Sequence, residues 1–289
     1  MDLIVDNLNF SYGDKKVLHD IVFKSDAGEV IGILGQNGCG KTTLLKCINR
    51  LLVPEGDVSV CNFGEGVLEP HSKAANDDGT ASVDRMVPKE LARSMAVVAQ
   101  NAYSTFPYTA FDAVMMGRYS RSSSIGSVAK EDDIRICTDS LEKAGVLHLA
   151  HRNVMELSGG EFRRVMIARA LAQQSEILLL DEPTLHLDVS HQFDLMDLIR
   201  DLSSNMGKRV IMVTHDMVFA ARYCDRVILL KDGHIVASGR TEDVMTVQNM
   251  RDIFDVETDI RYDERIGGIN IELLGRYRKE DCDGSGTSK

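Results

Sequence analysis

No apolar run in the sequence approaches the roughly 20 residues that a membrane-spanning helix requires. The longest candidates, Ile177–Leu180 and Val227–Leu230, have the length of buried β-strands instead. Residues 1–10 carry no basic stretch followed by an apolar one, so we predict no signal peptide. We therefore expect a folded protein that does not itself span a membrane.

Cysteine pairs with the spacing of metal or redox sites are also missing. The six cysteines are scattered along the chain and form no CxxC motif: Cys39, Cys47, Cys61, Cys137, Cys224 and Cys282. This distribution disfavours both a zinc site and a disulfide framework. It favours a protein that stays reduced in the cytoplasm.

Positive charge is in deficit. The 289 residues include 33 lysines and arginines against 44 acidic residues, which gives a net charge of -11. Such a balance disfavours nucleic acid or an anionic lipid surface as the main partner, although local basic sites for phosphates stay possible. A hydrophobic content of 44% and this length suit a globular protein with one large domain or two small ones.

Alternating strand and helix signals organise most of the chain. Three strands are predicted near the N-terminus, at Leu3–Leu8, Val17–Lys24 and Glu29–Leu34. Between Ile177 and Leu230, apolar strand-like runs alternate with helical segments, which predicts a parallel sheet covered by helices. Residues 110–171 carry helical spacing and are interpreted as an insertion into that α/β domain.

Three segments lie outside this pattern. Residues Asn62–Asp84 are rich in glycine, aspartate and serine, so we predict a solvated surface loop. Near the C-terminus, a hairpin could turn around Glu264–Gly268. The tail Arg276–Lys289 is predicted to be disordered.

A glycine-rich phosphate loop is the first motif that carries chemistry. Gly35–Thr43 matches GxxxxGK[ST], follows the apolar strand Val30–Leu34 and opens a helix, as the motif requires. Its amides and the helix N-terminus should hold a polyphosphate, Lys41 should reach the β- and γ-phosphates, and Thr42 should offer its hydroxyl to Mg²⁺. We assign to nucleotide binding Gly35, Asn37, Gly38, Cys39, Gly40, Lys41, Thr42 and Thr43.

Cys39 lies inside this loop and leaves two interpretations open. It could be a small residue that fills space, or a thiol whose pKa the helix dipole lowers. In the second case alkylation should block activity, and ATP should protect the thiol.

An acidic pair follows the apolar run Ile177–Leu180. Asp181, at the end of the predicted strand, is suited to hold Mg²⁺ through water. Glu182 is suited to act as general base toward the attacking water. The phosphate loop alone predicts a P-loop nucleotide protein, a class that includes kinases, GTPases and helicases. Downstream of this loop, the acidic pair is strong evidence for nucleotide hydrolysis with Mg²⁺.

The segment Leu157–Glu161, LSGGE, opens a helix. Ser158 and Glu161 fit a capping box. Two successive glycines, Gly159 and Gly160, are costly in a first helical turn, and they make sense where the backbone must approach a phosphate.

LSGGE resembles the signature motif of the ABC ATPase superfamily, whose commonest form ends in glutamine where this chain has Glu161. The resemblance implies a P-loop (RecA-like) ABC nucleotide-binding domain, with an inserted helical subdomain and N-terminal antiparallel β-strands. It also implies a head-to-tail homodimer, in which Ser158, Gly159, Gly160 and Glu161 contact the ATP held by the partner's phosphate loop.

The remaining family motifs occur in the expected order over residues 1–245. Tyr12 resembles the aromatic residue that stacks on adenine. Gln100 resembles the Q-loop glutamine that senses Mg²⁺ and contacts the permease, although Ala99 stands where proline is common. Asp188 resembles the D-loop aspartate that spans the dimer, and His215 resembles the switch histidine at the γ-phosphate. With Lys41 and Glu182, His215 completes the predicted catalytic set.

These motifs divide the chain into four predicted parts. The ATPase core comprises residues 1–100 and 166–247, and the helical subdomain with the signature motif comprises residues 101–165. Residues 248–289 form a C-terminal appendage of unassigned role.

Three segments resemble an importer subfamily for iron-siderophore, haem and cobalamin: Phe106–Tyr119, Val165–Gln173 and Glu182–Gln192. The resemblance implies an ATPase subunit at the cytoplasmic face of the membrane, bound to a separate permease that receives cargo from a substrate-binding protein. An importer is favoured because exporters often fuse ATPase and permease in one chain. The alternatives are an importer ATPase for another substrate class, a non-transport ABC ATPase, and a nucleotide-binding module that does not hydrolyse ATP. The first stays open, whereas the other two are disfavoured by the short insert, the single copy of each motif and the intact catalytic residues.

Overall fold

The computed structural model describes residues 1–64, 66–69, 72–100, 106–121 and 130–278. The β-strands in this part of the chain are β1 Asp2–Tyr12, β2 Lys15–Lys24, β3 Val30–Leu34, β4 Glu55–Cys61, β5 Thr80–Ser82, β6 Met95–Val98, β7 Ile177–Asp181, β8 Arg209–Val213, β9 Arg226–Lys231, β10 His234–Arg240, β11 Val256–Asp263 and β12 Gly268–Arg276. The α-helices are α1 Lys41–Ile48, α2 Pro88–Ser94, α3 Ala110–Met115, α4 Glu131–Lys143, α5 Gly159–Ala172, α6 Val189–Ser204, α7 Met217–Tyr223, α8 Thr241–Val244 and α9 Val247–Phe254.

A six-stranded sheet with the order β10-β9-β3-β8-β7-β6 forms the centre of the fold. Its strands pair in parallel except for β10, which pairs with β9 in the antiparallel direction. Every residue of β3, β7 and β8 is buried, as expected for parallel strands covered on both faces. The carboxyl ends of β3, β6, β7 and β8 therefore meet at one edge, where the loops that follow them carry the predicted site residues.

An antiparallel sheet with the order β2-β1-β4-β5 packs beside this centre. Its buried side chains, among them Leu3, Leu8 and Leu18, share one hydrophobic core with Leu44 and Ile48 of α1. The predicted α/β fold with N-terminal antiparallel strands is confirmed.

The surface-loop prediction for residues 62–84 is wrong for residues 80–84 and for the buried positions Val67 and Ala74, whereas the other described residues are irregular and exposed or half-buried. Residues 80–82 form β5, which pairs with β4, and Val83 opens a short 3-10 helix. Val67, Ala74 and Ala81 are buried in the core beneath β1 and β4. The apolar residues of this segment are few and irregularly spaced. Its polar composition therefore did not indicate the strand or the three residues that join the core.

Helices α3, α4 and α5 form the inserted helical block, with buried contacts through Val114, Leu141 and Val165. Residues 101–105 and 122–129 of the predicted subdomain lie outside the described residues. Helix α5 starts in the signature motif and continues to Ala172, so it joins the block to strand β6. The boundaries at residues 100, 165 and 247 stay a prediction.

The C-terminal segment forms helix α9 and a two-stranded hairpin, β11–β12, as predicted around Glu264–Gly268. Ile269 and Ile271 of β12 are buried in the core cluster that also contains α7 residues. The disorder prediction is wrong for residues 276–278, because Arg276 pairs with Val256 and the Tyr277 amide donates to the Asp255 carbonyl at 2.8 Å. Residues 279–289 lie outside the described part. None of the described helices has the length and hydropathy to cross a bilayer.

Candidate functional site

The loop between β3 and α1 has the backbone shape of a phosphate cradle. Gly38 and Gly40 adopt φ values of 81° and 109°, which side-chain-bearing residues rarely tolerate. A Cβ at Gly35 would lie 2.1 Å from the Leu230 carbonyl oxygen, so only glycine fits there. The loop thus bends closely enough for its amides to face a bound anion at the N-terminus of α1.

Lys41 is the first residue of α1 and is buried. Its Nζ donates to the carbonyl oxygens of Gly35, at 2.7 Å, and Gln36, at 3.1 Å. No carboxylate of the described residues forms an ion pair with it. The ammonium group is therefore held by neutral partners, and its charge is available to phosphate.

Asp181 closes β7 and accepts a hydrogen bond from the Thr42 hydroxyl at 3.1 Å. Burial raises the pKa of this carboxyl, while the Thr42 hydrogen bond and the nearby cations Lys46, Lys41 and Arg163 act in the opposite direction. A buried carboxylate beside a hydroxyl supplies the hard oxygen donors that Mg²⁺ prefers, so these residues fit that ion.

Glu182 and His215 form the catalytic candidate pair. His215 Nδ1 lies 2.7 Å from Glu182 Oε2, so the imidazole fixes the orientation of the carboxylate. The Glu182 side chain is buried, its backbone has the left-handed φ of 48°, and its amide donates to the Val213 carbonyl. Such a strained backbone conformation persists where the surroundings enforce it, often at functional sites.

These loops surround one cleft of about 380 Å³. Its lining comprises Tyr12, Val17, Asn37, Gly38, Gly40, Lys41, Thr42, Thr43, Gln100 and Glu182. Asp181 and His215 border the cleft through their bonds to Thr42 and Glu182. Residues from both sheets and from four separate loops thus converge as the sequence motifs predicted. Tyr12 is 50% exposed at the mouth, with its ring edge against Phe10.

The signature residues do not line this cleft. At the start of α5, the Ser158 hydroxyl accepts from the Glu161 amide at 3.3 Å, and the Glu161 carboxylate accepts from the Ser158 amide at 2.7 Å, so the predicted capping box is confirmed. Hydrogen bonds from Ser158 lower the pKa of Glu161. Gly159 has open space where a side chain would be.

Asp188 also lies outside the cleft lining and caps α6. Its carboxylate accepts from the His191 amide at 3.0 Å and pairs with His191 Nδ1 at 2.7 Å, and these bonds lower the pKa of Asp188. The ring of His191 lies 3.4 Å from where a Cβ of Gly160 would be. The signature motif and the D-loop are therefore neighbours within one chain, which the sequence did not predict.

The environment of Cys39 distinguishes the two interpretations left open by the sequence, a space-filling residue and a thiol with a lowered pKa. Its thiol is buried, and burial raises the pKa of Cys39, although the Lys41 charge acts against this. The sulfur fills the space next to Gly35, where a Cβ would come within 2.6 Å of it. The hypothesis of a lowered thiol pKa is wrong, and Cys39 is a space-filling residue.

Arg163 is a candidate positioning residue that no sequence motif indicated. From the inner face of α5, its guanidinium donates to the carbonyl oxygens of Ala99, at 2.9 Å, and Gln100, at 3.1 Å. Burial raises the pKa of Asp181, and the Arg163 charge acts against this rise. The signature helix thus holds the backbone of the Q-loop residue. A buried arginine within the apolar run of a helix is the signal that could have found it.

Comparisons with known proteins identify the family. A sequence profile described as "ABC transporter" matches residues 18–185, more than half of the chain, and an AAA domain profile matches residues 162–221. The chain is 38% identical over 272 residues to the uncharacterized ABC transporter ATP-binding protein MJ0089 of Methanocaldococcus jannaschii, covering 94% of this chain and 97% of the relative. It is 33% identical over 263 residues to the iron(3+)-hydroxamate import ATP-binding protein FhuC of Bacillus subtilis, covering 91% of each. It is 34% identical over 281 residues to the hemin import ATP-binding protein HmuV of Bordetella avium, covering 95% and 100%.

Solved structures give the same result. One is an ABC transporter assigned to the metal-chelate type, in an inward-facing conformation, with a TM-score of 0.76, 26% identity and coverage of 94% of this chain and 96% of the other. Another is the dimeric ATP-binding cassette MJ0796 in a post-hydrolysis state with ADP and Pi, with a TM-score of 0.65, 28% identity and coverage of 83% and 98%.

The parallel sheet and the phosphate cleft at its carboxyl edge define a P-loop nucleotide-binding domain with an inserted helical block. The chain belongs to the ABC transporter family and is one of its ATP-binding subunits, which couple ATP hydrolysis to transport.

Asp181→Asn should raise the melting temperature of the nucleotide-free protein at pH 7. Burial raises the folded-state pKa of Asp181 above its unfolded value, so the ionised carboxylate costs stability. Asparagine keeps an acceptor for Thr42 and removes the charge. Each 1 kcal/mol of gain would raise the melting temperature by about 2–4 °C in a protein of this size class. The gain is full above the folded pKa and vanishes as pH falls through about 4.

Thermal melts between pH 7 and pH 4 would measure this gain, with the exposed residue Asp14 providing the control variant Asp14→Asn. The same Asp181→Asn protein should lose the stabilisation by ATP with Mg²⁺. A melting temperature below that of the unmodified protein at pH 7 would contradict the prediction.

Arg163→Met should lower the rate of ATP hydrolysis by about ten-fold or more, because two charge-assisted bonds to the Q-loop backbone are lost and such bonds are worth about 1.5–3 kcal/mol each. The concentration of Mg²⁺ for half-maximal rate should rise as well, whereas a purely structural defect would lower the melting temperature without that shift. Arg163→Lys should restore part of the rate.

The neighbouring Arg164→Met is the matched control, since Arg164 bonds to the Ala144 carbonyl and Asp194, away from the Q-loop. If Arg163→Met and Arg164→Met hydrolysed ATP at equal rates and with equal Mg²⁺ dependence, the predicted positioning role of Arg163 would be contradicted.

Proposed function

We propose that this chain hydrolyses ATP to energise an importer of the iron-siderophore, haem or cobalamin type, through a separate permease. The proposal of ATP hydrolysis is supported chiefly by the position of the Glu182–His215 pair, which lies beside the phosphate loop in one cleft. The hydroxamate and hemin import proteins among its relatives support the cargo class.

ATP would bind with its adenine against the exposed ring of Tyr12 and its phosphates in the loop Gly35–Thr43. The loop amides and the N-terminus of α1 stabilise the anion, and Lys41 can turn from the carbonyls of Gly35 and Gln36 to the phosphate oxygens. The adenine contributes contact with an aromatic face, while the phosphates contribute charge.

Mg²⁺ would be held by Thr42, Gln100 and Asp181. All three offer oxygen, and the Thr42 and Asp181 oxygens already lie 3.1 Å apart. When bound, the ion would neutralise charge on the phosphates.

Hydrolysis requires a water placed in line with the bond between the γ-phosphorus and its bridging oxygen. Glu182 would orient this water and accept its proton as the new P–O bond forms and the bridging bond breaks. His215 holds the Glu182 carboxylate at 2.7 Å and would contact the γ-phosphate. Lys41 would stabilise the charge that develops on the departing oxygens.

Two copies would form the complete enzyme. Ser158, Gly159, Gly160 and Glu161 lie outside the cleft of their own chain, yet they present an exposed helix N-terminus suited to a phosphate. Asp188 also lies outside it. A head-to-tail homodimer would bring these residues to the partner's ATP, and the related cassette MJ0796 is dimeric.

A second groove, of about 770 Å³, is suited to the permease. It is lined by Asn49, Arg50, Leu51, Arg85, Met86, Val87, Pro88, Leu91, Ala92, Met95, Val97 and Gln173. Its floor is apolar and includes β6, whose next loop carries Gln100, while Arg50 and Arg85 supply positive charge. An amphipathic permease segment with acidic residues would fit this groove and place the ATPase at the cytoplasmic face of the membrane. A substrate-binding protein would act on it indirectly, and no nucleic acid is required.

Purification from the native membrane through an affinity tag, in mild detergent, tests the proposal. We expect a permease of many helices to co-purify, and binding protein loaded with siderophore, haem or cobalamin to stimulate ATP hydrolysis by the complex. Recovery of only non-membrane partners would instead favour a non-transport ABC ATPase, and stimulation by another ligand would favour another cargo class.

A pair of matched variants tests the groove itself. Leu51 lines it and is 71% exposed, whereas Val53 is 70% exposed and lies outside its lining. Leu51→Asp should lose the permease and keep ATP binding, while Val53→Asp should keep both.

A further inference from the structure

A cluster of apolar side chains lies on the surface next to His215. We call it the hairpin patch and define it as Val189, Phe193, Val218 and Leu273. With neighbouring residues it lines a depression of about 460 Å³ that is mostly apolar. These four side chains are 36–67% exposed, which is unusual for a contiguous apolar group on a single chain.

Three elements hold the hairpin patch rigidly in place. Phe193 of α6 packs edge-on against Phe219 of α7 at 5.1 Å, and the Arg222 guanidinium lies over the Phe193 ring at 5.2 Å. Strand β12, which carries Leu273, packs along α7. The one charged side chain that lines the depression beside His215, Asp216, already caps α7 by accepting from the Phe219 amide. The four residues of the hairpin patch are therefore held on packed elements and are all apolar, with Asp216 and Arg222 beside them. This composition favours an apolar partner.

The position of the patch indicates which partner covers it. Val189 directly follows Asp188, and His215 itself borders the depression. The proposed function places both Asp188 and His215 between two copies of the chain, so the patch continues that surface. An isologous contact presents the same surface from both copies and must be self-complementary, as a group of apolar side chains is.

We infer that the hairpin patch contacts the hairpin patch of a second copy of this chain around the two-fold axis of the dimer. The inference rests on the proposed function and extends it: the C-terminal appendage is part of the dimer contact. None of the four patch residues is assigned to nucleotide binding, so the contact does not require ATP and persists without it. It keeps the two copies associated while the nucleotide sites open.

The contact also links the appendage to catalysis. Helix α7 begins at Met217, two positions after His215, and β12 packs on this helix. A displacement of the hairpin in the dimer therefore reaches the loop that orients Glu182.

Sedimentation of the full chain tests the contact. Leu273→Asp and Val189→Asp should each weaken self-association at least ten-fold in the absence of nucleotide. Val22→Asp is the matched control, because Val22 is 57% exposed on β2, outside the depression. Melting temperatures and ATP binding establish that each variant is folded. Association of Leu273→Asp and Val189→Asp as strong as that of Val22→Asp would overturn the inference.

A Glu182→Gln background with ATP separates this outcome from failure of the proposed function. If Glu182→Gln stays monomeric with ATP while its patch is intact, the head-to-tail dimer itself is wrong. In the other case, Glu182→Gln and its Leu273→Asp derivative dimerise equally well with ATP, and neither associates without nucleotide. That result would contradict only the inference about the hairpin patch.

Cross-linking gives a second measurement that does not depend on a destabilising charge. In a chain with Cys61 and Cys282 replaced by serine, Leu273→Cys should form a covalent dimer with a short bifunctional maleimide without nucleotide. Val22→Cys should not. No cross-linked dimer from Leu273→Cys would overturn the contact.

Discussion

Glu182→Gln should lower the turnover of ATP by about a thousand-fold, within the 10²–10⁴ range of general-base catalysis, and leave ATP binding intact. Glutamine keeps the shape of the side chain and can still accept a hydrogen bond from His215, which now lies 2.7 Å from the carboxylate. It cannot accept a proton from water. It also removes a buried negative charge near the γ-phosphate, so ATP affinity should be equal or higher.

Phosphate release in a single-turnover assay measures the loss, and equilibrium dialysis with labelled ATP measures binding. Glu242→Gln is the control, since Glu242 is exposed at the start of α8 and bonds to Arg240. Hydrolysis at the native rate by Glu182→Gln would show that another group activates the water.

The part of the fold that could be predicted from the sequence depends on continuous apolar strands. In β3, β7 and β8 every residue is buried, so the apolar runs marked both the strands and their parallel arrangement. Once these strands were placed, polar residues at their carboxyl ends had to meet. Thr42 and Asp181 are 139 positions apart in sequence, yet they share a hydrogen bond because β3 and β7 flank β8 in the sheet.

Other features depend on contacts that no local pattern encodes. Ala74 and Val67 are buried by a neighbouring sheet, although polar residues surround them in sequence. Arg163 acquires its role because α5 packs beside the end of β6, a contact between separate motifs. The pKa of Cys39 depends on burial, which exceeds the effect of the Lys41 charge. In each case the property of the residue, its burial, its contacts or its pKa, depends on tertiary packing.

The same contrast between local patterns and tertiary contacts applies to the signature residues. Their identity could be predicted from the sequence, but their neighbours in the fold could not. The sequence LSGGE predicts a capped helix start with two glycines, because the capping hydrogen bonds between Ser158 and Glu161 are local. Its contact with His191, beside Asp188, arises only when the start of α5 comes next to the start of α6. The signature motif and the D-loop therefore adjoin each other on one chain, which suits a contact with a second copy.

Lys41→Ala should weaken ATP binding by about a hundred-fold or more, which corresponds to about 2.8 kcal/mol at 1.4 kcal/mol per factor of ten. The Lys41 ammonium is buried and bonds to two neutral carbonyls, at 2.7 Å and 3.1 Å. Alanine removes the cation and the charge-assisted bonds to phosphate, and it leaves the Gly35 and Gln36 carbonyls without this donor. The loop amides and the dipole of α1 stay, so residual affinity should persist.

Titration calorimetry with a non-hydrolysable ATP analogue and Mg²⁺ measures the affinity. Lys24→Ala is the control, because Lys24 is 54% exposed and pairs only loosely with Asp26 at 3.8 Å. Adenosine, which carries no phosphate, should bind the Lys41→Ala and unmodified proteins equally, since Tyr12 is unchanged. If Lys41→Ala bound the analogue as tightly as Lys24→Ala, the cleft between β3 and β7 would not be where the phosphates bind.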